Sequence, residues 1–165
     1  IEPPDLLEKE IFGFTGAAVL LRLQAMEDVA FNNGSYTEYF DELMFMYKED
    51  CDLAYRLFLA GFKAKCVGAA VVYHDRSSSG QGENDLAVAL NRKNKSRRAK
   101  GWSFLNQQII FLKYWRLQNF PNKMMIIWFE FKMLVFVLFF EPYLFKELLN
   151  LNKIRHKIIR YDHGN

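Results

Sequence analysis

The chain is organised around one acidic segment, which reads Tyr47-Lys48-Glu49-Asp50-Cys51-Asp52-Leu53-Ala54-Tyr55-Arg56-Leu57. Three acidic residues fall within four positions, directly before an apolar pattern with helical spacing that stops at Gly61. Acids in a first turn interact favourably with the helix dipole, and Asp52 precedes Arg56 by the four residues of a helical ion pair. The pattern therefore predicts a helix that begins at the acids and ends before Gly61, with Asp52 as the structural partner of Arg56.

The same acids also fit a chemical role. The residues before them, from Tyr39 to Tyr47, are dense in aromatic side chains and methionine, which is unusual for a loop in solvent. Desolvation between apolar walls raises a carboxyl pKa toward the range that suits a general base. Two alternatives therefore stand for these carboxylates, which are helix capping and catalysis.

Short alternating patterns flank the acidic segment. Residues 1–10 are predicted to be an irregular lead-in, and Ile11-Phe12-Gly13-Phe14-Thr15-Gly16 suits a tight turn or a close backbone approach. Ala17 to Leu23 is predicted as a strand. Lys63 to Tyr73 is predicted as two short extended segments that lead to His74. The mixture of strands and helices indicates an α/β fold.

Several motifs in this order resemble a known family. They are Gly13-Phe14-Thr15-Gly16-Ala17-Ala18, Phe40-Asp41-Glu42, the acidic segment and Val72-Tyr73-His74. Between Ile11 and about Arg98 the chain resembles the C-terminal half of a family 2 glycosyltransferase of the GT-A fold, in its rhamnosyltransferase-like branch. The resemblance implies an inverting enzyme that moves a sugar, with rhamnose as the candidate, from a nucleotide-diphosphate donor to a glycan or lipid-linked acceptor. Such transfer would serve cell-wall or surface polysaccharide synthesis.

The resemblance also assigns roles to single residues. Inverting sugar transfer needs a carboxylate that takes the proton of the acceptor hydroxyl, and in the family the aspartate of the Glu-Asp pair does so. That role falls on Asp50, while Glu49 would orient the acceptor or support Asp50. Gly16 and Ala17 would line the sugar and acceptor site.

Two further residues are assigned near the diphosphate. Some relatives use a histidine at the position of His74 as a metal ligand, and Arg76 would lie as a cation near the diphosphate. The alternatives are an ordinary hydrogen-bonded histidine and a plain polar linker. The family's nucleotide-binding half, which ends in Asp-x-Asp, has no counterpart in these residues. A divalent cation, Mn or Mg, is therefore expected only together with that half, and the chain alone is predicted to be inactive.

The composition limits the possible classes of protein, partner and cellular compartment. The 165 residues are 51% hydrophobic and 25% charged, as in a folded protein, and a net charge of +3 does not indicate nucleic acid. Two cysteines, Cys51 and Cys66, lack C-x-x-C spacing and fit a reducing compartment. The chain opens without methionine, which suggests that it begins inside a longer protein. Six basic residues lie between Arg92 and Lys100, and no base-stacking motif accompanies them, so anionic lipid fits this stretch better than nucleic acid.

The last third of the sequence is apolar and predicted to be helical, from Trp102 to Leu151. Lys123, Glu130 and Glu141 are spaced to lie on one helical stripe opposite a broad aromatic face. The uninterrupted apolar run Met133 to Phe140 is far shorter than the roughly 20 residues that cross a bilayer. This pattern suits an interfacial helix on an anionic membrane or a helix in a groove of its own catalytic domain, and a true membrane span is the third alternative.

These observations predict three regions. Residues 1–80 would be the acceptor and base half of a GT-A domain, residues 81–101 a basic connector, and residues 102–165 a mostly helical, aromatic-rich tail. The predicted location is cytoplasmic, peripheral on the inner face of the cell membrane. The alternative function is a non-catalytic, membrane-associated helical interaction module.

Overall fold

The computed structural model describes residues 8–32, 34–73 and 95–161. The chain divides into two compact units, an N-terminal unit, Ile1–Lys95, and a helical unit, Ser96–Asn165. The described elements of the N-terminal unit are β1 Glu8–Ile11, α1 Leu23–Asp28, β2 Phe31–Asn32, β3 Thr37–Glu38, α2 Glu49–Leu59 and β4 Ala64–Val67. Those of the helical unit are α3 Arg97–Tyr114, α4 Phe120–Phe140 and α5 Phe145–Tyr161, with 3-10 turns at Trp115–Leu117 and Pro142–Leu144.

Two small antiparallel sheets support the N-terminal unit. In one, β1 pairs with β4, so that Glu8 lies opposite Val67 and Ile11 lies opposite Ala64. Exposed ion pairs reinforce this sheet, including a 2.8 Å contact between Lys65 Nζ and Glu8 Oε2. The other sheet is the short hairpin of β2 and β3. Helices and strands are both present, as predicted, and both described sheets are antiparallel, whereas the irregular lead-in predicted for residues 1–10 is wrong from Glu8 onward.

The helix predicted at the acidic segment is confirmed as α2, whose first residue is Glu49. Its apolar side buries Leu53 and Leu57 against Ala25 of α1. Gly61 adopts a left-handed φ of +84°, and the amides of Gly61 and Phe62 donate to the carbonyls of Phe58 and Leu57. This pair of bonds is the Schellman motif, which explains why the helix ends where the glycine predicts.

The strand predicted at Ala17 to Leu23 is wrong. Within the described residues no regular element lies between β1 and α1, and the side chain of Leu20 is 100% exposed. Apolar β-prone residues form a strand only where another strand accepts their hydrogen bonds, and none pairs with them in the part of the chain that the structure describes. Of the two extended segments predicted after Lys63, only β4 is a strand.

The helical unit is built mainly on the contact between α3 and α5, and α4 joins them chiefly through the second 3-10 turn. Ser96 caps α3 by accepting from Ala99 N–H, and Asn119 caps α4 by accepting from Asn122 N–H. Phe104 of α3, Val137 of α4 and Leu144 of the second 3-10 turn form the buried cluster of this unit, with Leu148 of α5 packed against it. None of the helices in the described residues combines the length and apolarity that a membrane crossing requires.

The predicted charged stripe is confirmed for Glu130 and Glu141, which both lie against α3. Gln108 Nε2 donates to Glu130 Oε2 at 2.8 Å, and Lys100 Nζ lies 2.9 Å from Glu141 Oε1. The second oxygen of Glu130 is buried and accepts no hydrogen bond in the described structure. Burial raises the pKa of Glu130, and the bond from Gln108 opposes this shift in part.

We expect Glu130→Gln to stabilise the helical unit at neutral pH. When folding raises the pKa of a carboxyl, the folded state loses stability as the pH rises above the ordinary pKa of 4.5. The reason is that the folded state then has to hold a buried charge. Glutamine keeps an acceptor for Gln108 without that charge. Urea unfolding followed by tryptophan fluorescence reports this unit alone, since all three tryptophans lie in it.

The gain should shrink as the pH is lowered toward 4.5, where Glu130 itself takes up a proton. The exposed Glu10→Gln serves as the control and should leave the tryptophan transition unchanged at both pH values. A gain of equal size at pH 7 and pH 4.5 would contradict the assigned cause.

Candidate active site

The carboxylate of Asp50 is held by two backbone amides at the start of α2. Its Oδ2 accepts from Gly16 N–H at 2.7 Å, and its Oδ1 accepts from Cys51 N–H at 2.8 Å. Gly16 lies 34 positions before Asp50, so the fold brings together two residues that the sequence predicted for one site. A Cβ at Gly16 would lie 3.6 Å from Asp50 Oδ2, in ordinary contact, so the amide of Gly16 matters here more than its missing side chain.

A strained turn directly before α2 sets the position of the Asp50 carboxylate. Tyr47 and Lys48 both have left-handed φ values, 71° and 70°, although neither is glycine. Such conformations cost about 1–2 kcal/mol per residue and persist only where the surroundings impose them. Because of this turn, α2 begins abruptly at Glu49, with three acids in its first turn.

A buried ion pair fixes α2 to the preceding loops. Asp52 is 0% exposed, and its Oδ2 accepts from Arg56 Nε at 2.9 Å. The Arg56 guanidinium also donates to the carbonyls of Val29 and Tyr39 and lies 4.4 Å from the ring centre of Phe31. The prediction that Asp52 is the structural partner of Arg56 is confirmed.

Two further buried acids, Glu38 and Asp41, shape the loop before α2; Asp41 lies in the Phe40-Asp41-Glu42 motif, but the sequence assigned a role to neither acid. Glu38, 3% exposed, accepts from Glu42 N–H at 2.6 Å. Asp41, 1% exposed, accepts from Leu43 N–H at 2.9 Å. An Asp that bonds the amide two residues later makes an Asx turn, so the Asp41-Glu42-Leu43 sequence held a usable signal. These bonds explain how a loop rich in aromatic residues keeps a defined course.

The apolar wall expected around Asp50 is only partly present. Asp50 is half-buried, and within the preceding loop Met44 is buried, whereas Phe45 is 71% exposed. The carboxylate is therefore reachable from solvent, and the expectation of a dry crevice is wrong. An acceptor molecule could reach Asp50 from outside.

Glu49 carries a polar atom with no partner. Its Oε2 is buried and makes no hydrogen bond among the described residues, while the side chain as a whole is half-buried. A buried acceptor without a donor is costly, and a hydroxyl group would satisfy it. The first turn of α2 therefore presents two neighbouring carboxylates, one held by amides and one with a buried oxygen that has no partner among the described residues.

The family model described as Glycosyl transferase family group 2 matches residues 7–148 of this chain. The chain belongs to this family. The match covers the strained turn and α2, and it continues through α3 and α4. No curated protein and no solved structure gives a significant match to the chain.

Three other residues predicted for the site of this glycosyltransferase have different outcomes. Ala17 is exposed beside Gly16. His74 and Arg76 lie outside the described residues, so their roles stay predictions. The turn at Gly16 and the start of α2 are the two parts of the predicted site that the structure brings into contact.

Family 2 glycosyltransferases generally use a divalent cation. The part of this glycosyltransferase that the structure describes contains no cluster of three His, Cys, Asp or Glu side chains able to hold one. The described residues by themselves therefore do not fit a metal centre. The predicted Mn or Mg remains tied to an Asp-x-Asp half.

The thiol of Cys51 in this glycosyltransferase offers a probe of the charge on Asp50. Partial burial, and next the negative charge of Asp50, raise the pKa of the Cys51 thiol. A raised pKa leaves less thiolate at a given pH, so alkylation is slowed. We expect Asp50→Asn to accelerate alkylation of Cys51 by iodoacetamide at pH 8, measured by peptide mass spectrometry.

Cys66 is also free and exposed, and it provides an internal standard in the same digest. Its alkylation rate should be equal in the wild-type and Asp50→Asn proteins. The control Asp28→Asn removes an exposed carboxylate on α1 and should leave both thiols unaffected. Equal Cys51 rates with and without the Asp50 carboxylate would contradict the electrostatic coupling.

Proposed function

We propose that this chain supplies the acceptor-binding and base part of an inverting glycosyltransferase. The proposed reaction moves a sugar, with rhamnose as the candidate, from a nucleotide-diphosphate donor to a glycan or lipid-linked acceptor in cell-wall or surface polysaccharide synthesis. The observation that carries the proposal is the Asp50 carboxylate held by the amides of Gly16 and Cys51 in a member of family 2. A nucleotide-binding half of the kind that ends in Asp-x-Asp is required for turnover.

In the proposed chemistry Asp50 takes the proton of the acceptor hydroxyl. The hydroxyl oxygen forms a bond to the anomeric carbon while the bond from that carbon to the diphosphate oxygen breaks, so the configuration inverts and the nucleoside diphosphate leaves with the electron pair. Each carboxylate oxygen of Asp50 keeps a lone pair beyond the amide bond that it accepts. Geometry of this kind orients the base before the acceptor arrives.

Glu49 is proposed to position the acceptor. Its half-buried side chain, next to Asp50 in the first turn of α2, supports this role, because a second hydroxyl of the acceptor sugar could donate to its carboxylate. Gly16 and Ala17 would form the floor of the same site. His74 and Arg76 are proposed near the diphosphate, as metal ligand and cation.

The proposed location is the cytoplasmic side of the cell membrane, with an anionic membrane surface as a partner. The exposed apolar side of α4 supports this location. It also favours the second candidate function, a non-catalytic membrane-associated helical module. Sugar transfer distinguishes the two candidates, since only the first requires it.

The test uses the protein expressed from its full reading frame, supplied with nucleotide-diphosphate sugars and with membrane extracts or defined glycans as acceptors. The expected product carries the transferred sugar with inverted anomeric configuration, read by NMR. Retention of configuration would remove the single-base mechanism. Absence of transfer with every donor would favour the second candidate.

A further inference from the structure

Helix α4 carries its apolar side chains on the outside. Six residues at helical spacing form one strip, here called the apolar face, and each is between 41% and 61% exposed: Met124, Ile127, Trp128, Phe131, Val135 and Leu138. Twenty-one residues at 1.5 Å each make the helix about 31 Å long. The strip is therefore much larger than the single apolar residues scattered over ordinary protein surfaces.

The opposite side of α4 holds its polar groups. Glu130 bonds Gln108, Glu141 pairs with Lys100, and Val137 between them is 0% exposed. A helix on the surface of a water-soluble domain turns its apolar stripe inward and its charges outward. The arrangement in α4 is inverted, so its outer side is suited to an apolar environment.

The charge of the helical unit indicates which environment. Its sequence contains twelve Lys and Arg against four Asp and Glu, a formal charge of +8, whereas the N-terminal unit has ten against fifteen, a formal charge of −5. Three of the four acids are withdrawn from solvent: Glu130 is half-buried, Glu141 is 6% exposed, and the Glu147 side chain is 12% exposed. The accessible charge of this unit is therefore almost entirely positive.

Exposed cations lie beside the apolar face and beyond the end of α4. Lys132 is exposed on α4 itself, and Lys146 follows the helix with a side chain 69% exposed. Lysines at such positions extend their ammonium groups toward head groups while their stems cover apolar surface. On α5, Lys153, Arg155 and Lys157 are exposed as well.

We infer that α4 lies in the plane of an anionic bilayer, with its apolar face among the upper acyl chains and the cations of the helical unit on the lipid phosphates. A second copy that docked through its own helical unit is a poorer occupant, because two units of formal charge +8 repel each other. The basic stretch that the sequence suggested for lipid binding is in part engaged elsewhere, since Lys100 is paired with Glu141 and Arg97 lies over the ring of Tyr143. This inference deepens the membrane part of the proposed function and does not depend on sugar transfer.

The test is co-sedimentation of the 165-residue chain with vesicles, without any sugar donor. Vesicles of phosphatidylcholine alone are compared with vesicles that also contain phosphatidylglycerol. We expect binding to the anionic vesicles to be tighter by about tenfold or more and to weaken as salt is added. Equal binding to both vesicle types, or no binding, would overturn the inference.

Phe131→Glu tests the apolar face, and Leu149→Glu is its matched control. Both positions are exposed, at 57% and 67%, and both substitutions add the same charge to the same unit. Phe131→Glu should weaken vesicle binding about tenfold or more, whereas Leu149→Glu should have a much smaller effect. Far-UV circular dichroism should give the same helix content for both variants. An equal loss of vesicle affinity in the two variants would show that only the net charge matters. It would overturn the role of the apolar face.

The depth of the apolar face in the bilayer is measured with a variant that carries Trp102→Phe and Trp115→Phe. Trp128 is then the only tryptophan. Lipids brominated high on the acyl chain should quench its emission, and lipids brominated near the chain end should quench it less. Sedimentation velocity without lipid reports self-association. A dimer that Phe131→Glu dissociates, together with absent quenching, would assign the face to a second copy instead.

The outcomes also separate this inference from the proposed function. Vesicle binding without sugar transfer by the full-length protein would leave the inference standing and remove the catalytic proposal. Sugar transfer by a protein whose α4 does not bind vesicles would do the reverse.

Discussion

Asp50→Asn in the full-length glycosyltransferase is expected to lower the rate of sugar transfer by about 10²–10⁴-fold, the range that a positioned general base contributes. Asparagine keeps an oxygen that can accept from Gly16 or Cys51 N–H, so α2 and the strained turn should be retained. It cannot take the proton of the acceptor hydroxyl. The loss should therefore appear in kcat, while binding of the nucleotide donor stays nearly intact.

The matched control is Asp28→Asn. Asp28 is an exposed carboxylate that bonds only locally, to Gln24 at 3.1 Å, so the substitution removes the same charge from the same unit. Its transfer rate should equal that of the wild type. Unchanged turnover in Asp50→Asn would exclude Asp50 from the mechanism, whatever the control gives.

Asp52→Ala is expected to reduce the unfolding free energy of the N-terminal unit by about 3–5 kcal/mol, because removing one partner leaves the Arg56 guanidinium charge buried. Native domains are stable by only about 5–15 kcal/mol, so this loss is a large fraction of the total. Arg56→Lys should also destabilise, since an ammonium cannot reproduce the planar set of contacts to Asp52, Val29 and Tyr39.

Hydrogen exchange of the α2 amides, followed by mass spectrometry, measures this loss of stability in the N-terminal unit alone. The control Lys65→Met breaks the exposed contact between Lys65 and Glu8 and should leave α2 protection nearly unchanged. Tryptophan fluorescence should keep the same unfolding transition in all three variants, because the tryptophans lie in the helical unit. Normal α2 protection in Asp52→Ala would show that the pair contributes no net stability.

The sequence predicted those parts of the fold that depend on local chemistry. The start of α2 at the acids, its end before Gly61 and the pairing of Asp52 with Arg56 follow from spacing and backbone preference, and all three are present. The alignment of Glu130 and Glu141 on one side of α4 also followed from spacing, whereas the sequence did not predict that this side faces α3.

Features that depend on distant partners could not be predicted in this way. The strand expected at Ala17 to Leu23 has the right composition and no pairing partner among the described residues. Strand β1 exists because β4 returns to it more than fifty positions later, and composition gave no sign of this. The family resemblance, not spacing, placed Gly16 and Asp50 in one site, and the hydrogen bond between them was not predicted.

The turn at Tyr47 and Lys48 bears on whether the acidic segment would keep its structure in another protein. Two side-chain-bearing residues hold a left-handed backbone there, and the helix that follows is fixed by contacts of Arg56 to Val29 and Tyr39, which belong to other segments. An excised peptide of residues 47–57 would lack these contacts, and a segment this short does not hold a stable helix in water by itself. Grafting this segment into another scaffold would therefore transfer the Asp50 carboxylate without the backbone geometry that orients it.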